Sequence, residues 1–175
     1  SDVEVLTELG PAPAWLVAAP EPTDRWVIQV HGRAVRRQEA LRAIPVFRDA
    51  GFTSLLISYR NDGDAPASPD GRYALGDTEW RDVEAAMRFA VEHGARELVL
   101  MGWSMGGATV LQTLTRSELA PLVRGVVLES PVVDWVTALH YQGVANRVPA
   151  PLRRAVLAVL SQRWAGAITG LDAPV

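Results

Sequence analysis
Apolar and polar positions along this chain fall into short blocks whose period switches repeatedly between two and about 3.6 residues. Residues 3–7 and 14–19 have strand character and are joined around Gly10 and Pro11, which predicts an antiparallel hairpin at a sheet edge. Residues 26–30, WVIQV, form a nearly continuous apolar run of the kind a buried strand needs. Leu41, Ile44 and Phe47 then recur at helical spacing across residues 37–50, and Gly51 stops the run. Pro45 sits inside it, so the helix is expected to kink there or to begin later.

Residues 53–58 predict the next strand, and residues 61–76, rich in Gly, Pro and Asp, a solvated loop. Trp80, Val83, Met87 and Val91 mark one face of a helix over residues 78–93, with Asp77 or Thr78 as its cap and Gly94 as its stop. Residues 97–101 are a strand, 107–115 a helix and 123–129 a strand. Residues 135–168 have a helical pattern interrupted at Pro149 and Pro151. Strands alternating with helices over crossovers of this length imply an α/β fold, a mostly parallel sheet with helices on both faces. The expected organisation is a core over residues 1–134 and a helical, lid-like segment over 135–175.

Between the strand at 97–101 and its helix the sequence reads Gly102-Trp103-Ser104-Met105-Gly106. A serine at the tip of a tight strand-to-helix turn takes a strained backbone, and the residues two places either side come so close that a Cβ would clash. Both are glycine here, which is the layout of a nucleophile elbow. Such a turn exposes the Ser104 hydroxyl at the carboxyl end of the strand and aims a helix N-terminus at a reacting carbonyl. A dinucleotide-binding glycine loop fits poorly, because Ser104 stands where that loop needs its second glycine.

Absences narrow the chemistry. There is no cysteine, so thiolate catalysis, thiolate metal sites and disulfides are excluded within these residues. All 17 basic residues are arginine, which removes a lysine base or Schiff base and leaves histidine as the partner for Ser104. The net charge of −3 is spread over mixed sequence and suggests no nucleic-acid footprint. Apolar runs are too short for a membrane span and the start of the chain has no signal pattern, so the expected location is cytoplasmic. The Asp62-Gly63-Asp64 spacing breaks the ligand alternation of a calcium loop, and no metal is expected.

Ligands of such sheets bind beyond the carboxyl ends of the strands. His31, Gly32 and Arg33 follow the strand at 26–30 on that side, so the N–H groups of Arg33 and Met105 are the expected oxyanion donors. His31 is read as a brace for its loop in preference to a direct catalytic part. His93 falls at the opposite end of the sheet. Asp134 is expected to cap the helix beginning at Trp135, with membership of a triad the lesser reading. His140 lies within that helix.

The HG at Gly32, SYRND over residues 58–62, GWSMGG over 102–107 and ESPVVDW over 129–135 resemble the α/β-hydrolase superfamily. Within it the chain is similar to monoacylglycerol lipase-like esterases and serine aminopeptidase-like hydrolases. That resemblance implies a Ser–acid–His triad in chain order, a small-molecule acyl substrate, an ester or amide, and no cofactor. The acid and the histidine should follow two further strands. Those strands are not found here, so acid and base are expected beyond residue 175. The alternative is an inactive hydrolase fold serving as a binding or scaffold module. Leu139, Tyr141, Val148, Leu152, Val156, Leu160 and Trp164 suit either a lid over an acyl pocket or ordinary core helices.

Overall fold
In a computed structural model of the protein, residues 1–160 are described. Among them are strands β1 (Asp2–Thr7), β2 (Gly10–Val17), β3 (Arg25–Val30), β4 (Thr53–Ile57), β5 (Glu97–Trp103) and β6 (Val123–Glu129). The helices are α1 (Ile44–Asp49), α2 (Trp80–Glu92), α3 (Met105–Arg116), α4 (Trp135–Ala145) and α5 (Ala150–Leu160). The strands make one sheet in the order β1-β2-β4-β3-β5-β6. β3, β4, β5 and β6 run parallel, while β2 is antiparallel to both β1 and β4. This is the expected α/β architecture with an antiparallel hairpin at its N-terminal edge.

The sheet is two-sided because consecutive side chains point to opposite faces. Val27, Leu56, Met101 and Trp103 join Ala40 and Ala43 in a core on one face, completed by Ile44, Phe47 and Phe52. The alternate set, Ile28, Val30, Leu55, Ile57, Leu98 and Leu100, is fully buried on the other. α2 and α3 pack against each other, α2 against β3 and β4, and α3 against β3 and β5. α2 turns Val83, Ala86, Met87 and Ala90 inward, three- and four-residue steps that put them on one stripe.

Several boundaries differ from the sequence expectation. The hairpin turns at Glu8 and Leu9, and Gly10 and Pro11 already belong to β2, paired with Thr7 and Leu6. Thr7 closes this turn, its hydroxyl donating to the Gly10 carbonyl at 2.7 Å. Proline is tolerated in β2 because the Pro13 carbonyl, and with it the missing N–H, faces β4 rather than β1, and the registered pairing with β4 begins only at Ala14. The segment at 37–50 splits into a 3-10 turn, Arg37–Ala43, and α1, whose later start is one of the two outcomes Pro45 implied and places that proline in the first turn, where no N–H is required. α2 has no side-chain cap: Asp77 instead pairs with Arg116 at 2.7 Å, and Glu79 precedes the helix. α3 begins at Met105 and β5 runs on to Trp103, so the strand and helix meet at Ser104 itself. Pro151 lies in the first turn of α5, and of the two prolines Pro149 alone falls in the link between the helices, residues 146–149. The part of the helical pattern beyond residue 160, Trp164 included, lies outside the described residues.

The chain forms two compact units, Ser1–Pro131 and the residues from Val132 on. Among the described residues no helix is long and apolar enough to cross a membrane.

Candidate active site
Ser104 occupies φ 49°, ψ −116°, a conformation that L-residues rarely adopt, and it is exposed at the junction of β5 and α3. The flanking glycines explain how the turn can be this tight. A Cβ on Gly102 would come within 2.6 Å of Gly106 O and Gly107 N, and one on Gly106 would fall on the carbonyl oxygens of Val30 and His31. The serine's own backbone is tied down, since its N–H donates to Glu129 O at 3.0 Å and its carbonyl accepts from Gly107 at 3.0 Å.

Strain of this kind is not confined to the serine. Each parallel strand is followed within four residues by a non-glycine residue of positive φ: Ala34 after β3, Asn61 after β4, Ser104 after β5 and Ser130 after β6. Held strain concentrates where a site needs its groups fixed, and here it gathers along one edge of the sheet.

Gly32 lies directly beside the serine, for a Cβ there would stand 3.3 Å from Ser104 Cβ. The following residue, Arg33, is exposed and its guanidinium lies 5.9 Å from the Tyr73 ring centre. The N–H groups of Arg33 and Met105 meet no acceptor among the described residues. The structure thus brings Ser104, Met105 and the loop carrying Arg33 together at the carboxyl edge of the sheet.

The loop is fixed from beneath. The Gly32 N–H donates to Glu39 Oε2 at 2.7 Å, and the Gly32 carbonyl accepts from Tyr59 at 2.9 Å and faces His31 Nδ1 at 2.8 Å. A carbonyl can only accept, so Nδ1 carries the proton in that contact. His31 is fully buried, stacks on Tyr59 with ring centres 4.4 Å apart, and points Nε2 at Asp62 Oδ2, 3.0 Å away. That last contact has ion-pair distance but falls outside hydrogen-bond geometry. Burial, with the nearby Asp62 charge, pushes the Tyr59 phenol far above its ordinary value, so it remains a donor.

His31 is therefore committed to its loop. His93 stacks on Phe89 and borders Trp26 and Thr53 at the amino ends of the strands, away from Ser104. His140 is exposed on α4, in the second unit. Asp134 caps α4, accepting from Thr137 N at 3.1 Å and Thr137 Oγ1 at 2.6 Å, and these bonds hold its carboxyl below the usual range.

Other supporting groups gave little sign of themselves in the sequence. Glu129 Oε2 accepts from Trp103 Nε1 at 2.8 Å while its Oε1 lies 3.2 Å from Arg42, which also reaches Glu39 at 3.6 Å. Arg60 and Asp82, both buried, pair through two bonds of 2.9 Å, and Glu8 from the hairpin adds a third at 2.8 Å. The 61–76 loop is not simply solvated, because its own Asp62 and Ala74 are buried. Arg60 comes three residues after β4 and Asp82 is the third residue of α2, so the pair forms only because the loop between them folds back.

Over residues 21–168 the chain matches the family described as serine aminopeptidase, S33. It is 26% identical over 149 residues to the human Protein ABHD12B, covering 79% of this chain and 39% of that protein. Among solved structures it is similar to the Pyrococcus furiosus esterase Pf2001, with TM-score 0.68, 21% identity, and coverage of 89% of this chain and 58% of the other. The esterase EaEST of Exiguobacterium antarcticum gives TM-score 0.61 at 16% identity, over 91% of this chain and 61% of the other. The chain thus spans about two fifths of the human relative's length and about three fifths of either esterase. The family match over most of the chain, on a sheet of this order with a serine at this turn, makes the protein a member of the S33 serine aminopeptidase family of α/β-hydrolases.

Proposed function
We propose that the protein is a serine hydrolase that cleaves a carboxylic ester or amide through an acyl-enzyme. The observation that carries this reading is the exposed, positive-φ Ser104 between two glycines with no room for a Cβ, set beside the Gly32–Arg33 loop. Ser104 Oγ attacks the substrate carbonyl as a general base takes its proton. The N–H groups of Arg33 and Met105 hold the tetrahedral oxyanion, and the same base, now an acid, protonates the leaving alcohol or amine. Water then attacks the acyl-serine by the reverse route, releasing the carboxylic acid and restoring the hydroxyl.

Neither His31 nor His93 can act as that base, so we assign it to a histidine outside the 1–131 unit, with an acid to orient it. The chemistry is complete without a metal or organic cofactor. The helical unit exposes Tyr141, Leu152 and Val156, positions that suit either a lid or ordinary helix packing. A cytoplasmic location and the role of a lid for this unit belong to the same reading.

The protein expressed from its complete reading frame should be phosphonylated by a fluorophosphonate at one site, and Ser104→Ala should abolish the mass increase. Labelling that persists in the variant removes the assignment. A wild-type protein that resists labelling altogether would favour an inactive hydrolase fold that only binds.

A further inference from the structure
The Gly32 carbonyl and the Arg33 N–H belong to one peptide unit, and in a planar trans peptide they point in opposite directions. Whatever holds the carbonyl therefore aims the N–H. The Tyr59 hydroxyl holds it, 2.9 Å away, from a fully buried position. His31 Nδ1 approaches the same oxygen, so the carbonyl points into the core and the Arg33 N–H points out of it. On the other side of Gly32, the preceding peptide is held by its N–H to Glu39 Oε2 at 2.7 Å. Gly32 has no Cβ to restrict rotation of the peptides on either side of it, so these hydrogen bonds carry their orientation.

We propose that Tyr59 and Glu39 are positioning residues that clamp the two peptide units flanking Gly32 and so fix the Arg33 N–H as an oxyanion donor. This rests on the serine-hydrolase reading of Ser104. Beyond direction, a carbonyl that already accepts hydrogen bonds polarises its own peptide, which strengthens the N–H as a donor to a developing negative charge. The Glu39 side chain is 24% exposed and faces the Arg42 guanidinium at 3.6 Å, which offsets part of its charge near a developing oxyanion. The clamp matters most when charge appears on the substrate oxygen and least when the substrate merely binds. Its loss should therefore lower the chemical rate and leave affinity nearly unchanged.

The test measures fluorophosphonate labelling of the full-length protein as a function of probe concentration, which separates binding from the covalent step. Tyr59→Phe keeps the ring stacked on His31 and removes only the hydroxyl. The covalent rate is expected to fall about 10- to 100-fold with the half-saturating concentration held within about twofold. Glu39→Ala is a second, more exposed variant, expected to slow the same step, with Glu39→Gln restoring much of the rate because its amide oxygen can accept the Gly32 N–H. A merely structural role would not give that split or that rescue. Wild-type covalent rates in Tyr59→Phe and Glu39→Ala, with labelling still at Ser104, would overturn the clamp and leave the nucleophile standing. No labelling of Ser104 in the wild-type protein would overturn both.

Discussion
Ser104 keeps a backbone geometry that glycine would accept freely, held by its N–H donating to Glu129 of β6 and its carbonyl accepting from Gly107 of α3. The conformation is thus enforced by the neighbours and carries a cost of about 1–3 kcal/mol. Two variants that both lack the hydroxyl separate this cost from any chemistry. Ser104→Gly should be more stable than Ser104→Ala by about 1 kcal/mol in urea unfolding, once the extra freedom of glycine in the unfolded chain is subtracted. Equal midpoints, or a more stable alanine variant, would mean that the turn is not strained. The sequence made this residue legible because its two nearby glycines stand between an apolar strand and a helix start, the context a nucleophile elbow requires. It could not show Tyr59 and Glu39 beneath the adjacent loop, since neither belongs to a motif and their value comes from which side of one peptide they touch.

Among the elements, the parallel strands could be read from their apolar runs, and α2 and α3 from their stripes. The differences within β2 and at the start of α2 share a cause: the effect of a proline or a cap depends on which way its N–H or carboxylate faces, which residue type alone does not show. Pro11 and Pro13 sit inside β2 because the donors they lack face away from β1, and Asp77 leaves the start of α2 uncapped because Arg116 takes its carboxylate. The Arg60–Asp82 pair shows the same limit, as two charged residues 22 positions apart proved to be buried partners joining the end of β4 to α2. Asp82→Ala leaves the Arg60 guanidinium buried with only Glu8, and should cost about 3–5 kcal/mol of folding stability by denaturant titration. The double variant Arg60→Met, Asp82→Leu should recover most of that loss. Additive losses in the two single variants would show that the residues do not act as a pair.

Over the whole unit, the dependence of stability on acidity follows from groups that folding places in unusual surroundings. Glu79 is the clearest, because burial raises its carboxyl above the ordinary 4.5 although the N–H groups of Ala74 and Gly76 oppose the shift. A carboxyl whose folded value lies above its unfolded value binds its proton more tightly when folded. Its contribution is therefore complete below about pH 4.5 and is lost as pH rises through the folded value. Asp70 and Asp134, both exposed and shifted down, act the other way and only in more acidic solution, where their contribution fades as pH falls. Urea titrations of wild type and Glu79→Gln should diverge above about pH 4.5, the wild type losing ground as pH rises through the folded value, and run parallel beyond it. Parallel curves throughout would place no perturbed carboxyl at this position.

The contact of Gly106 with the end of β3 bears on how this protein can change over generations. Every codon one base away from a glycine codon that still encodes an amino acid gives either glycine again or a residue with a Cβ, and that atom would fall on the Val30 and His31 carbonyls. The spacing between nucleophile and oxyanion loop is therefore closed to gradual adjustment, however strong the selection for a new substrate. Diversification must come from side chains around this pair, such as Arg33 and Tyr73, which can be exchanged without moving the backbone that does the chemistry.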